Sequence, residues 1–405
     1  MIKYFLSYAS FNSIAAGLNF VTILFMSRVL SPEEYGYIGI LQALLFFLVP
    51  AITFASADLI MIKKVGLDTV EYHNFISQYL SLSILVSVLL FPIFVFVYIY
   101  GFEAWGSMIL FLPFICLLQS IARVHTIELI QERNIKLFGL YRVATSVLLI
   151  SLTVFFLLLL EMSWEGRVFS IVLAELALFI IRYKISFSSL RKLDFLVTKA
   201  FLKDIYRFGL PLFILLFASW GINEGDRFIV LGMLSLSDVG LYSLAYGIGS
   251  ALNVVNTSMT NAIVPSVYGV MKNGRGKKTL IKISTYGSLS ILFLSFLIAI
   301  LIYYFGEFLV TEEYKKGIFL ACLITVAFGV NGMYRTVSLP LVYLKLNKLK
   351  AQNIYIAAIV NLSLSVLLTS EIGLLGPAYG TLISFILLYF LTLYYNLKHT
   401  EHIKP

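Results

Sequence analysis

Apolar residues fall in long runs along this chain, separated by short polar breaks. A hydrocarbon layer about 30 Å thick needs roughly 20 helical residues per crossing, and runs of that length recur from end to end. Twelve helices are predicted, starting near Ala9, Tyr37, Ile76, Gly106, Leu140, Gly166, Phe208, Val239, Ile283, Gly317, Ala351 and Leu374. Within them Pro211 and Pro377 suit the first turn of a helix, where a missing N–H is harmless. Pro50 and Pro92 lie deeper, as kinks or as prolines a membrane helix simply tolerates.

The longest polar interruption, Ser186 to Arg207, falls midway and is basic. It reads as a linker between residues 1–185 and 208–405, each half holding six helices. A weak repeat supports two halves: Leu30-Ser31-Pro32-Glu33-Glu34-Tyr35-Gly36 and Leu234-Ser235-Leu236-Ser237-Asp238-Val239-Gly240 share Leu-Ser-x-x-acid-x-Gly, and Asn19 pairs with Asn223 at the same offset. An even number of crossings per half gives the copies one orientation, related by an axis along the membrane normal. The expected fold is an all-α polytopic membrane protein, with about twelve transmembrane helices in two six-helix bundles around a central cavity.

Composition agrees: 60% of the 405 residues are hydrophobic and 13% charged, which excludes an ordinary soluble domain. The net charge of +9 changes the picture only through its distribution. With the N-terminus inside, most Lys and Arg fall on cytoplasmic segments and most loop acids outside, so the positive-inside rule places both termini in the cytoplasm. No basic domain with interleaved aromatics stands off the membrane, so nucleic acid is not an expected partner. The linker's charges point to anionic lipid headgroups. The first helix, with Lys3 ahead of it and no small-residue cleavage pattern, reads as a retained anchor. Cys116 and Cys322 lie inside predicted helices and read as packing residues, and no cofactor or metal motif stands out.

Charges inside apolar runs carry the candidate chemistry, because each costs several kcal/mol at a bilayer centre, roughly 2.5–3.5 on insertion scales. Glu224, Asp226 and Arg227 interrupt the run from Phe208 to Leu231. Asp226 lies 18 residues beyond Phe208, about 27 Å of helix, which puts the group toward the outer end. Arg227 either snorkels to headgroups or meets an anionic group in a cavity, with Asp226 or Glu224 exchanging a proton or sodium ion. Arg335 lies deeper, and its planar fork suits phosphate oxygens, against the alternative of bonding helix carbonyls. Glu175 is a candidate for ion coupling or a protonated packing group. Arg28 and Asp58 stand at helix ends, with a weaker claim on a cavity. Asn12, Asn19, Asn256, Asn261, Gln352, Asn353 and Asn361 either line a sugar-accepting cavity or hold helices together. Glu128, Glu132, Arg133 and Lys136 after the fourth helix read as an amphipathic cytoplasmic extension or a gate, and His399 and His402 as solvated tail residues.

No enzymatic motif emerges: the chain has no P-loop, and the outer loops are too short for the catalytic acids of a glycan polymerase. Phe208-Gly209-Leu210-Pro211, Trp220, Asp226-Arg227-Phe228-Ile229 and Gly240-Leu241-Tyr242-Ser243-Leu244-Ala245-Tyr246 resemble the start of the second half of Wzx-type polysaccharide flippases. The segment Leu30 to Gly36 is similar to that family's loop after helix one. These flippases belong to the multidrug/oligosaccharidyl-lipid/polysaccharide exporter superfamily. The resemblance implies a transporter that moves undecaprenyl-pyrophosphate-linked oligosaccharide units for O antigen, lipopolysaccharide or capsule across the bacterial inner membrane. It implies alternating access with proton or sodium coupling, and a polysaccharide polymerase and chain-length regulator as partners. Arg28, Trp220, Arg227 and Arg335 are then the substrate-contacting set, and Asp58, Glu175, Glu224 and Asp226 the ion-coupling set. The rivals are a membrane-bound polymerase or ligase of surface polysaccharide and a multidrug exporter of the same superfamily. The exporter is disfavoured because Ala9 to Ser27 holds no acid.

Overall fold

A computed structural model describes residues 2–53, 57–100, 109–186, 197–273 and 277–400. These residues form fifteen α-helices and no strands: α1 Ile2–Val29, α2 Pro32–Ile52, α3 Ala57–Gly66, α4 Thr69–Tyr100, α5 Leu112–Gln131, α6 Ile135–Val154, α7 Trp164–Ser186, α8 Lys199–Met233, α9 Leu236–Ser250, α10 Leu252–Asn273, α11 Lys277–Phe305, α12 Ile318–Val337, α13 Leu339–Tyr343, α14 Asn347–Ile372 and α15 Leu375–His399. Ten of the described helical stretches are long and apolar enough to cross a membrane. The other two expected crossings fall on α7, which carries Glu165, Arg167, Glu175 and Arg182, and on α9 with α10, which break at Ala251. Large apolar side chains such as Val88 and Phe96 on α4 and Phe293 on α11 are more than 60% exposed, as lipid contact requires. The chain is a multi-pass membrane protein.

Contacts group the chain into two compact units: residues 1–22 with 41–217, and residues 23–40 with 218–405. Relative to the sequence halves, residues 23–40 and 208–217 change sides. In the first unit α5 packs on α3, α4 and α7, around a core that includes Tyr72, Phe75, Tyr79, Val124 and Phe201. In the second, α12 lies innermost against α9, α11 and α15, while α14 pairs with α15. Its core joins Ala218, Ile222, Ala327, Ala357, Phe385 and Leu388.

The Leu-Ser-x-x-acid-x-Gly repeat has a structural meaning inside the second unit. Both copies are helix N-terminal capping boxes. Glu34 N–H donates to Ser31 Oγ at 3.3 Å while Ser31 N–H donates to the Glu34 carboxylate at 2.8 Å. The Asp238 N–H donates to Ser235 Oγ at 3.1 Å and the Ser235 N–H to Asp238 at 3.2 Å. The two glycines let the capped helices α2 and α9 touch backbone to backbone. A Cβ on Gly240 would overlap the Pro32 carbonyl, and one on Gly36 the Leu236 carbonyl.

Two expectations, on Pro211 and on the segment Glu128 to Lys136, need correction. Pro211 is interior to α8, not in its first turn, because the helix starts at Lys199 where Thr198 Oγ1 accepts the Phe201 N–H at 3.2 Å. Of the expected linker 186–207, residues 199–207 are therefore helical, and 187–196 lie outside the described residues. Glu128 to Lys136 is not one continuous extension: Glu128 lies in the last turn of α5 and Lys136 in the first turn of α6, and between them Arg133 takes a left-handed φ of 54° and Asn134 caps α6 by accepting the Leu137 N–H at 3.2 Å. His402 lies outside the described residues, and His399 closes α15.

Candidate functional site

The first unit holds a cavity of about 570 Å³ between α2, α5, α6, α7 and the middle of α8. Its height follows from the helices that wall it. Gln42, Arg123, Thr145 and Glu175 line it, and each stands within two residues of the middle of its own helix. Gln119 and Arg167 complete the polar wall, and Leu45, Phe46, Leu149 and Ile171 supply the apolar one. Arg167 is 7% exposed and its Nη1 donates to Thr153 Oγ1 at 2.7 Å, which turns a side chain near the start of α7 toward α6. Arg123 is exposed along the middle of α5, so its guanidinium is open to whatever enters. The lining carries two guanidiniums against one carboxylate, with two carboxamides and a hydroxyl. That set matches an anion carrying hydroxyl groups.

The charges of α8 are packed in the second unit. Asp226 is fully buried and accepts hydrogen bonds from Tyr242 Oη at 2.7 Å, Ser365 Oγ at 2.8 Å and Thr381 Oγ1 at 2.7 Å. Asn361 Nδ2 donates to that same Thr381 oxygen at 3.2 Å. Arg227 is 4% exposed, pairs with Glu224 at 2.5 Å one turn away, donates to Ser243 Oγ at 3.2 Å, and lies 4.6 Å from the Tyr246 ring centre. Its guanidinium therefore does not reach out to headgroups. Trp220 lies against Phe228 with ring centres 5.5 Å apart. Gly221 and Gly225, four residues apart, give Leu362 of α14 a close seat against α8.

Arg335 sits near the end of α12 in a cradle of neutral oxygens. It donates to Asn331 Oδ1 at 3.0 Å, Thr257 Oγ1 at 3.2 Å and Asn253 Oδ1 at 3.3 Å. Among the described residues no carboxylate pairs with it. Lys350 lies close by, 6.0 Å from the ring centre of Tyr334. Arg28 is engaged elsewhere, donating to the carbonyls of Phe308 at 3.2 Å and Leu309 at 3.4 Å. The side chain of Asp58 lies outside the described residues. The structure thus brings Glu224, Asp226, Arg227 and Trp220 into one stretch of the second unit, and places Glu175 in the first-unit cavity. Arg123, Arg167, Gln42 and Gln119 belong to that cavity and were not singled out in the sequence. The signal for Arg123, a charge at mid-helix, was present but hidden by an expected helix start near Gly106 in place of Leu112.

Comparison with solved structures gives the fold. The chain superposes on a multidrug resistance MATE family transporter of the MOP superfamily in its inward-facing conformation, with a TM-score of 0.77 at 14% identity over 95% of this chain and 94% of that one. It also matches the lipid II flippase MurJ in an inward closed conformation, with a TM-score of 0.71 at 17% identity over 98% of this chain and 87% of that one. A search of curated proteins finds no match by sequence. Residues 1–268 match the family described as polysaccharide biosynthesis protein, and the chain belongs to that family. The resemblance drawn from the sequence motifs is borne out.

Proposed function

We propose that the chain is a Wzx-type flippase, a transporter and not an enzyme, that carries undecaprenyl-pyrophosphate-linked polysaccharide repeat units from the inner to the outer leaflet of the bacterial cytoplasmic membrane. The observation that carries this reading is the mid-helix cavity of Arg123, Arg167, Glu175, Gln42 and Gln119 in a member of a polysaccharide biosynthesis family. A diphosphate needs guanidinium groups, a glycan needs amides and hydroxyls, and a lipid tail needs only the bilayer. The fold shared with a protein described as a lipid II flippase supports a lipid-linked saccharide. Basic linker and helix ends support cytoplasmic termini. Alternating access of two halves, 1–185 and 208–405 about the linker 186–207, would present the cavity to each side in turn, and Arg335 with its uncompensated charge is a second seat for phosphate. A polysaccharide polymerase and a chain-length regulator are the partners such a product requires.

The coupling ion, a proton or sodium, is assigned to Asp226. Its carboxylate gathers three hydroxyls, and the buried Asn361 Oδ1 beside them has no hydrogen-bond partner. Rotating those hydroxyls would turn the group into an all-oxygen ligand set of the kind hard cations take. Arg227 is occupied by Glu224, so its role is to hold α8 and α9 together around that site. Glu175 and Glu224 remain the secondary ion candidates. The test is Arg123→Ala in cells that depend on this chain. Losing one charge-assisted contact is expected to cut export about tenfold, the effect of ~1.4 kcal/mol, with protein level unchanged. Export at the parent level would contradict the cavity's role.

A further inference from the structure

A buried polar seam runs the length of the α14–α15 contact. On α14, Asn353, Asn361, Ser365 and Thr369 follow at multiples of four residues, each no more than 2% exposed. α15 answers with Thr381, Ser384, Thr392, Asn396 and Thr400 at its end, all buried. Bonds across the pair, Asn361 Nδ2 to Thr381 Oγ1 and Asn353 Nδ2 to Thr392 Oγ1 at 3.2 Å each, are what polar glue between membrane helices looks like.

Glue does not account for the other end of each amide. The Oδ1 atoms of Asn353, Asn361 and Asn396 are all buried without a hydrogen-bond partner. An acceptor buried without a donor is costly, and three along one seam call for an occupant. The amide orientations follow from their partners. The Val337 carbonyl can only accept, so it faces Nδ2 of Asn396 at 3.2 Å. The Thr381 hydroxyl gives its proton to Asp226, so it too must accept from Asn361 Nδ2. The orphan amide atoms of Asn361 and Asn396 are therefore acceptors, which there selects water or a cation and rejects an anion. At the Asn396 end a cavity of about 20 Å³ opens between Ser284, Tyr389 and Thr400, room for one water, and the Ser284 hydroxyl there also has no partner. At the other end Thr381 and Ser365 touch Asp226 directly. Asn353 and Asn361 lie eight residues apart, about 12 Å of helix, and Ala357 between them belongs with Phe385 and Leu388 to the unit's apolar core, which must part for a cation to pass.

We infer that the α14–α15 seam is a hydrated route by which a small cation, proton or sodium, moves between Asp226 and the Asn396 end of the second unit. The inference rests on the ion-coupling role proposed for Asp226, and the topology puts the Asn396 end on the cytoplasmic side. The experiment uses the full chain in vesicles, with Cys116→Ser and Cys322→Ser as background and Asn353→Cys or Asn396→Cys added. The probe is 2-aminoethyl methanethiosulfonate, a cationic reagent that needs a hydrated thiolate. Both positions are expected to react, and sodium to slow Asn353→Cys if sodium is the coupled ion. No reaction at either position, in protein whose exposed Lys398→Cys reacts, would overturn the route. Asp226→Asn separates the two ideas through the ion dependence of lipid-linked oligosaccharide translocation. Ion dependence lost in Asp226→Asn with an unreactive seam leaves the coupling role standing and removes the route. A reactive seam with ion dependence intact in Asp226→Asn overturns the route as well, because the water then leads to no coupling site.

Discussion

At the residue scale, the charges of α8 persist in an apolar unit because each has a specific partner. Glu224 and Arg227 form a pair whose side chains are 12% and 5% exposed, so removing one member strands the other. Arg227→Ala is expected to cost about 3–5 kcal/mol, read as a fall in the thermal unfolding midpoint in detergent, because it leaves Glu224 buried and uncompensated. Adding Glu224→Gln should recover much of that loss, and a single variant as stable as the parent would refute the pairing. The charges themselves were plain in the sequence as breaks in an apolar run. Their partners were not: Ser365 and Thr381 reach Asp226 from 139 and 155 residues away, a distance no local pattern spans. Arg167 is a parallel case, legible as a charge but not as a wall of a cavity, since Thr153 on the preceding helix turns it inward.

At the scale of helices, hydropathy gives existence and order, while ends depend on caps and contacts. α8 begins nine residues before Phe208 because Thr198 caps a stretch whose charges, Lys199, Lys203, Asp204 and Arg207, lower the hydropathy of a helix that is there. The break at Ala251 has no proline to announce it; Gly249 lies so close to Ile324 and Thr325 of α12 that a Cβ there would collide with them. The repeat was visible as a pattern, and its acid and serine were the caps of α2 and α9, but the mutual packing of the two copies was not visible. That packing gives a matched test. Gly240→Ala drives a methyl into the Pro32 carbonyl and is expected to destabilise by about 1–3 kcal/mol, as overpacking does. Gly232→Ala, also helical but with open space around it, should be neutral or stabilising by up to about 1 kcal/mol. Thermal unfolding of the two variants measures the contrast, and equal midpoints would mean that α2 and α9 do not cross so closely.

At the scale of the whole molecule, a many-helix membrane protein was legible from composition and run length alone, because hydrocarbon imposes both. The compact units were less so. Residues 23–40 join the second unit through contacts made only in three dimensions, such as Tyr314 Oη donating to the Leu30 carbonyl at 2.9 Å and Thr311 Oγ1 to the Ser27 carbonyl at 3.2 Å. The proposed function puts the scales together: guanidiniums and amides at mid-helix, a fold shared with transporters, and a family of polysaccharide biosynthesis. Translocation is read from the leaflet on which the lipid-linked oligosaccharide stands. In cells lacking this chain and any redundant flippase, the lipid-linked repeat unit is predicted to accumulate on the cytoplasmic leaflet while surface polysaccharide disappears. Normal surface polysaccharide in those cells, or repeat units stranded on the outer leaflet, would contradict the account.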